Sequence, residues 1–373
     1  MKILTILGTR PEIIRLSRII PRLDEVLGRE NHILVHTGQN HDLLLYMQFF
    51  YDLNLRHPDV QLRMRGTFGE QVGMLLPEIE RVLMEARPDR VLILGDTNSS
   101  LAAIVAARLL IPVYHMEAGN RSYSPHSPEE VNRRLIDHCS TVLMPYTERS
   151  RQNLLAEGIH SSRIFVTGNP IKEVIDDYRD GIDNSDIFNK LEINRGRYFL
   201  VTLHREENVD DGNRLIDFLF AFDQVRHEYG IPVVVSTHPR LRQQISRYAG
   251  KKSATHIDGA ADNSRLCFHD PFGFFDFIAL EQNAFCVLSD SGTVQEECCI
   301  LNTPSVILRD FTERPEMIDC GASVLSGADP NRILALVKQV TEKKPSWPIP
   351  SEYTRTNVAD TVVRILTSHR EVV

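Results

Sequence analysis

RVLILGDTNSSLAAIVAARLLIPVYHMEAGNR, residues 90–121, contains a complete strand–helix–strand unit. Its ends, RVLILG (90–95) and PVYHM (112–116), are aliphatic and β-branched runs closed by turn residues. Such runs read as buried parallel strands. Between them SSLAAIVAARLL (99–110) is Ala-rich and apolar on most faces, which predicts a well-buried helix. That order is the unit of an α/β fold with a parallel sheet. Carboxylates stand where the runs end: Asp96 after the first, Glu117 after the second, and Glu129 soon after in SPEEVNRR. In α/β sheets ligands bind beyond the carboxyl ends of the strands. A single carboxylate there can be a helix cap; three together point to acid/base machinery.

Outward from this unit the alternation continues in both directions. KILTIL (2–7), HILVH (32–36), TVLMPY (141–146) and RIFVTG (163–168) complete a first series of strand-like runs. YFLVTL (198–203), PVVVST (232–237), CVLSD (286–290), PSVILR (304–309) and SVLSG (323–327) form a second. Ile13, Leu16, Ile20, Leu23 and Leu27 recur near the helical period, with Pro21 set to kink or split that helix. The two series join near Gly168–Pro170. They predict two Rossmann-like domains with parallel sheets facing a central cleft, over 1–169 and 170–354. Val358, Val362, Val363, Ile365 and Leu366 mark a last helix, about 355–373, expected to cross back to the first domain.

Composition excludes several classes. At 373 residues the chain exceeds one small core, and its 42% hydrophobic and 25% charged residues are those of an ordinary globular protein. A net charge of −8 argues against a nucleic-acid binder, without excluding a local basic pocket for phosphates. No apolar run reaches the roughly 18–20 residues of a membrane span. MKILTILGTRPE turns polar too early for a secretory signal. Six cysteines without CxxC spacing suggest buried free thiols in a reducing cytoplasm. The 14 histidines show no HExxH or paired Cys/His pattern, so no structural metal is expected.

Polar signatures recur just after the strands: GTRPE (8–12), HTGQN (36–40), GDTNS (95–99), MEAGNR (116–121), TGNP (167–170), LHREEN (203–208), STHPR (236–240), SDSGT (289–293) and RDFTERPE (309–316). In GTRPE, Pro11 suits a first helical position and Arg10 adds a permanent charge for a diphosphate. The alternative is that Arg10 pairs with a carboxylate nearby. In SDSGTVQEE, Ser291 and Gly292 open a helix whose amides a phosphate can approach, and Glu296 lies one turn inside, placed to accept from a ribose diol. Capping by Asp290 or Ser291 is the alternative, and both can hold together, since a capped helix end can also bind an anion. His204 and Arg205, with Glu207 behind, are either ligand contacts or packed strand-end residues. His238 is weaker, with Arg240 adding positive potential. Phe272, Phe274, Phe275 and Phe277 are core by default, and one of them can stack on a base.

With GTRPE, GDTNS, MEAGNR, PEEVNRR, HREEN, SDSGT with QEE, and RDFTERPE present in this order, the chain resembles the non-hydrolysing UDP-N-acetylglucosamine 2-epimerase family over essentially its full length. The resemblance implies a GT-B-like pair of domains, a cytoplasmic homodimer, and inversion at C2 of a UDP-2-acetamido sugar without NAD or metal. The reaction it implies is anti elimination of UDP to a 2-acetamidoglycal, then re-addition with a proton delivered to the other face. Matched to the family motifs, Asp96, Glu117 and Glu129 are the acid/base candidates and His204 a further catalytic candidate. Arg10 and His204 would stabilise charge on the β-phosphate. Ser291, Gly292 and Glu296 match the UDP-binding turn. Arg15, Arg205, Phe272, Thr293 and Arg314 complete the expected substrate-binding set.

Some positions depart from the family pattern. Arg15 replaces a usual lysine, and the two cations differ in shape. HTGQNHD replaces a segment associated with allosteric substrate binding, although Gln39 remains. HTGQN, MEAGNR, HREENVD and STHPR look more like the branch that forms UDP-N-acetyl-L-fucosamine from a 2,6-dideoxy-L-talose precursor. A GT-B glycosyltransferase, a non-catalytic sugar-nucleotide sensor and a hydrolysing epimerase are the rival readings. Clustered carboxylates disfavour the transferase, which needs no base for C2–H.

Overall fold

The computed structural model describes residues 1–39, 43–237, 239–249 and 266–369. Asn40 of HTGQN and His238 of STHPR lie outside the described residues. The chain forms two compact units, Met1–Tyr178 with Ser351–Val373, and Arg179–Pro350.

The first unit is built on β1 (Ile3–Leu7), β2 (His32–His36), β3 (Val60–Gln61), β4 (Arg90–Leu94), β5 (Val113–Met116) and β6 (Val142–Met144). They lie in the order β3-β2-β1-β4-β5-β6, every pair parallel. Ile3, Leu4, Ile6 and Leu7 are at most 1% exposed, so β1 is covered on both faces and its continuous apolar run follows. Each such side chain contributes about 1.5–3 kcal/mol of burial. The helix Phe68–Ala86 lays Leu75, Ile79, Val82 and Leu83 on this sheet, one stripe at helical spacing.

The second unit has β7 (Phe199–Thr202), β8 (Val233–Ser236), β9 (Leu266–His269), β10 (Cys286–Ser289), β11 (Ser305–Ile307) and β12 (Ser323–Leu325). Its order, β12-β11-β10-β7-β8-β9, is the winding of the first sheet repeated. The helix Gly212–Tyr229 packs Leu215, Phe218, Phe222 and Val225 into its core. Both units are therefore Rossmann-like. The strand order reverses between β1 and β4 in one and between β7 and β10 in the other, the places where such sheets bind ligands.

One expectation is met, one needs correction, and two strands went unread. The helical stretch over 12–27 is split, as its proline implied, into Arg10–Leu16 and Ile19–Leu27. Pro21 is the cause, since its ring has no N–H and crowds the carbonyl four residues earlier, at the break. RIFVTG (163–168) is not a strand. Phe165 and Thr167 donate to the Leu143 and Pro145 carbonyls, but only an isolated Leu143–Ile164 bridge forms. Pro145 has no N–H with which to answer. Conversely, β3 and β9 escaped the sequence reading, β3 being two residues long and β9 reading LCFH.

The last helix, Val358–Ser368, belongs to the first unit and buries Val358, Val362 and Leu366. Asp360 accepts from Arg22 Nε at 2.7 Å, and Glu173 accepts the Ala359 N–H at 3.0 Å. All six cysteines are free, with Cys286, Cys298 and Cys299 buried and the others half-buried. Among the described residues, no helix is long and apolar enough to cross a membrane.

Candidate functional site

At the first switch point the loops after β1 and β4 are bound together by Glu12. One oxygen of its buried carboxylate accepts from Gly8 N (2.8 Å), Thr9 N (2.7 Å) and the Thr9 hydroxyl (2.9 Å). The other accepts from the Thr97 hydroxyl at 2.8 Å, reaching from GTRPE to GDTNS. Burial pushes the Glu12 carboxyl up to about 7, against the pull of these hydrogen bonds. Gly8 admits no side chain: a Cβ would come within 2.2 Å of the Thr37 and Ser99 hydroxyl oxygens. Gln39 also joins this cluster, its Oε1 accepting from Ser99 N and Oγ at 3.0 and 2.9 Å. Arg10 is the first residue of its helix, one place before Pro11, with its guanidinium 5.8 Å from the Phe49 ring centre. Arg15 is buried in the same helix, 2% exposed.

Asp96 and Glu117 leave neighbouring strands. Leu94 and Met116 are register partners, and the Gly95 N–H donates to the Met116 carbonyl at 3.0 Å. The Glu117 carboxylate lies close to Gly95, since a Cβ there would sit 3.7 Å from Oε2. Glu117 itself has φ +63°, a left-handed conformation costing a non-glycine residue about 1–3 kcal/mol. Strain of that kind persists where the surroundings over-determine a side chain's direction. Asn120 Nδ2 donates to Glu117 Oε1 at 3.2 Å and is held in turn by the Ser150 hydroxyl at 2.9 Å.

The helix Pro128–Cys139 brings the third carboxylate. Its Arg133 Nε donates to Asp96 Oδ2 at 2.7 Å, and Asn132 donates to the Asp96 carbonyl at 3.0 Å. Glu129, in the first turn, is half-buried and accepts from the Ser127 hydroxyl at 2.8 Å. Its neighbour Glu130 does different work. Buried, it accepts from Ser122 N, Ser122 Oγ, Tyr123 N and Arg133, pinning the loop ahead of the helix. Burial opposes ionisation of Glu130, but these donors outweigh it and hold the carboxyl below its ordinary range.

The second unit places His204 after β7 and Asp290 after β10. His204 Nδ1 lies 2.9 Å from Asp290 Oδ1, with the imidazole 48% exposed. Asp290 also accepts from the backbone N–H of His204 and Arg205 and from Asn208 Nδ2. Burial disfavours its charge, yet His204 and these donors hold the carboxyl down at about 2. Asp290 is thus a fixed acceptor that orients His204 and leaves Nε2 to face outward.

Asp290 does not cap the helix Gly292–Leu301, nor does Ser291, whose hydroxyl meets Thr293 Oγ1 at 3.1 Å. The capping reading of SDSGT is therefore wrong: Asp290 is turned back on His204 and Arg205. Gly292 lies against side chains the sequence did not show, because a Cβ would meet Glu313 Oε1 at 2.6 Å and Arg314 Nη1 at 2.8 Å and could be admitted only by displacing them. Arg314 Nε donates to the buried Glu296 at 2.6 Å, and Glu313 also holds Arg309 at 2.8 Å. Arg205 Nη2 lies 3.7 Å from the same Glu313. Three arginines therefore converge on Glu313, with Glu296 behind. Phe272 is half-buried, its ring 5.9 Å from that of His269, while Phe274 is core.

Sequence reasoning missed Glu12, Asp290 as the partner of His204, Asn120, and Glu313. The Thr9–Glu12 spacing of a capping box was the available signal for the first. Asp290 with His204 and Glu313 with Arg205 join loops far apart in the chain, which no local pattern announces. Asn120, by contrast, lies three residues from Glu117 inside MEAGNR, and Glu313 lies within four residues of Arg309 and Arg314.

The sequence matches the family model described as UDP-N-acetylglucosamine 2-epimerase over residues 26–367. It is 40% identical to the UDP-N-acetylglucosamine 2-epimerase of Methanocaldococcus jannaschii, covering 98% of this chain and 99% of that protein. The crystal structure of the M. jannaschii UDP-GlcNAc 2-epimerase in complex with UDP-GlcNAc and UDP superposes with a TM-score of 0.90 at 39% identity, over 99% and 100% of the two chains. A UDP-2,3-diacetamido-2,3-dideoxy-D-glucuronate 2-epimerase of Pseudomonas aeruginosa is 37% identical, covering 88% of this chain and 89% of that one.

Proposed function

The chain belongs to the UDP-N-acetylglucosamine 2-epimerase family, and from that premise we propose that it inverts C2 of a UDP-2-acetamido sugar, interconverting UDP-N-acetylglucosamine and UDP-N-acetylmannosamine. The observation that carries the chemistry is the pair Asp96 and Glu117 at the ends of adjacent strands, each held in place by its own donor. The C2 proton is a poor acid, so its removal must be concerted with departure of the diphosphate. A base takes the C2 proton as the C1–O bond to UDP breaks, leaving UDP and the 2-acetamidoglycal. Re-addition of UDP with a proton delivered to the opposite face of C2 completes the inversion. Two faces need two groups, and Asp96, Glu117 and Glu129 supply the acid/base set.

His204 and Arg10 stabilise charge gathering on the β-phosphate. His204 suits the task because Asp290 fixes its ring with one nitrogen outward. The free amides opening the helix Gly292–Leu301, with Ser291 and Thr293, hold phosphate. Glu296 serves the ribose, and Arg15, Arg205, Arg314 and Phe272 complete the binding set. The ligands are a UDP-2-acetamido sugar and UDP, and the working assembly is a cytoplasmic homodimer.

The test is incubation with UDP-N-acetylglucosamine in D2O, followed by proton NMR of the recovered nucleotide sugar. Deuterium is expected at C2 of both epimers. A glycosyltransferase or a sensor leaves C2–H intact, and a hydrolysing enzyme accumulates UDP and free sugar. The 2,6-dideoxy-L-talose nucleotide in a parallel tube decides between sugars. Light scattering of the purified protein tests the dimer.

A further inference from the structure

Behind the carboxylates lies a buried group to which the chemistry above gives no task. His115, on β5 and 2% exposed, has an oxygen opposite each ring nitrogen: the Gly95 carbonyl 3.0 Å from Nε2 and Asp137 Oδ1 2.8 Å from Nδ1. Gly95 immediately precedes Asp96. A carbonyl can only accept, so Nε2 carries a hydrogen. The second oxygen of Asp137 accepts from Gly119 N at 3.1 Å and from Arg121 at 2.8 Å, both in the loop that follows Glu117. Arg121 is fixed from its far side by Glu157 through two hydrogen bonds of 2.8 and 2.7 Å. Asp137 belongs to the helix Pro128–Cys139, whose first turn carries Glu129. One buried His–Asp pair therefore touches all three elements that bear the candidate acids and bases. Fully buried, Asp137 would resist ionisation, but His115 and Arg121 hold its carboxyl below the ordinary range.

We propose that His115 is a positioning residue: by bridging the Gly95 carbonyl to Asp137 it sets the separation of the Asp96 and Glu117 carboxylates. The inference rests on the epimerase reading above and names a residue that touches no reacting atom. Its effect follows from the sensitivity of proton transfer to placement, where a misplacement of about 1 Å costs about 10²-fold in rate. Binding of UDP is assigned to other residues and is expected to be untouched.

The experiment uses the full-length protein with His115→Leu, His115→Gln and His115→Asn. It reads kcat and KM from C2 deuteration, and UDP affinity by calorimetry. Near-UV circular dichroism establishes the folded fraction. His115→Leu is expected to lower kcat about 10²-fold per folded protein, with KM and UDP affinity unchanged. His115→Gln, whose amide N–H reaches toward the Gly95 carbonyl, recovers part of that loss. His115→Asn keeps a donor only toward Asp137 and recovers less. If the leucine variant does not fold, the comparison of Gln with Asn decides, and equal kcat values overturn the inference. Folded variants with wild-type kcat overturn it as well, as does a loss accounted for by unfolded protein. Deuteration by the wild type together with unaffected variants removes only this inference. A wild type that exchanges no deuterium removes the epimerase reading and this with it.

Discussion

Asp96→Asn, Glu117→Gln and Glu129→Gln separate chemistry from binding most directly. Each is expected to lower turnover by about 10²-fold or more, the scale of general acid/base help, with UDP affinity little changed by calorimetry. Glu117→Gln keeping full turnover would end that assignment. Asp290→Asn acts one step further back. It removes the charge facing His204 Nδ1 while preserving shape, so kcat is expected to fall about tenfold or more. It also bears on acid stability. The Asp290 carboxyl stands at about 2 in the folded protein against 3.8 ordinarily. Its contribution is therefore complete above pH 3.8 and lost as pH falls through 2. The variant should flatten the acid limb of a thermal melt series between those values. Gly292→Ala tests the arginine cluster, because the added methyl displaces Arg314 and Glu313 from the helix start. UDP affinity is expected to drop about tenfold, or about 1.4 kcal/mol, with the fold kept.

At the scale of elements, Glu12 ties the β1 and β4 exit loops and titrates in a useful range. Its carboxyl is raised from 4.5 to about 7, so the folded state favours the neutral form. The stability it contributes is complete below pH 4.5 and lost as pH rises through about 7. A shift of this size is on the order of 3 kcal/mol. Urea melts from pH 4.5 to 8 should show that decline in the wild type and lose it in Glu12→Gln. The same two loops show what local pattern reveals. GTRPE announced a helix start through its proline and glycine, and the structure starts the helix within one residue of that place. Nothing local announced that Glu12 would reach Thr97, since the contact exists only once β1 and β4 lie side by side. The failed strand at 163–168 has the same character. Its residues suit a strand, but its neighbour offers Pro145 where a donor is needed.

At the scale of the whole molecule, the chain leaves the first unit after Tyr178 and re-enters it at Ser351. The returning helix is held by its apolar stripe and by the Arg22–Asp360 ion pair. Leu366→Ala is expected to cost about 2–5 kcal/mol, read as a lower urea midpoint for the transition of the first unit. By itself the sequence determined what depends on neighbours along the chain: most strands, the helix stripes, the α/β class, and the family to which GTRPE, MEAGNR and SDSGT belong. Hydrophobic periodicity and turn chemistry are local, so they can be read without coordinates. Only the tertiary structure decided which polar residues support the candidate site. Asp290 faces His204, Asn120 faces Glu117, Glu313 gathers three arginines, and His115 bridges two loops. The pairings of His204 with Asp290, Arg205 with Glu313 and His115 with Gly95 join residues brought together by strand order. Those of Asn120 with Glu117 and of Glu313 with Arg309 and Arg314 are close in the chain. In each, a buried polar group takes whichever partner the packing presents.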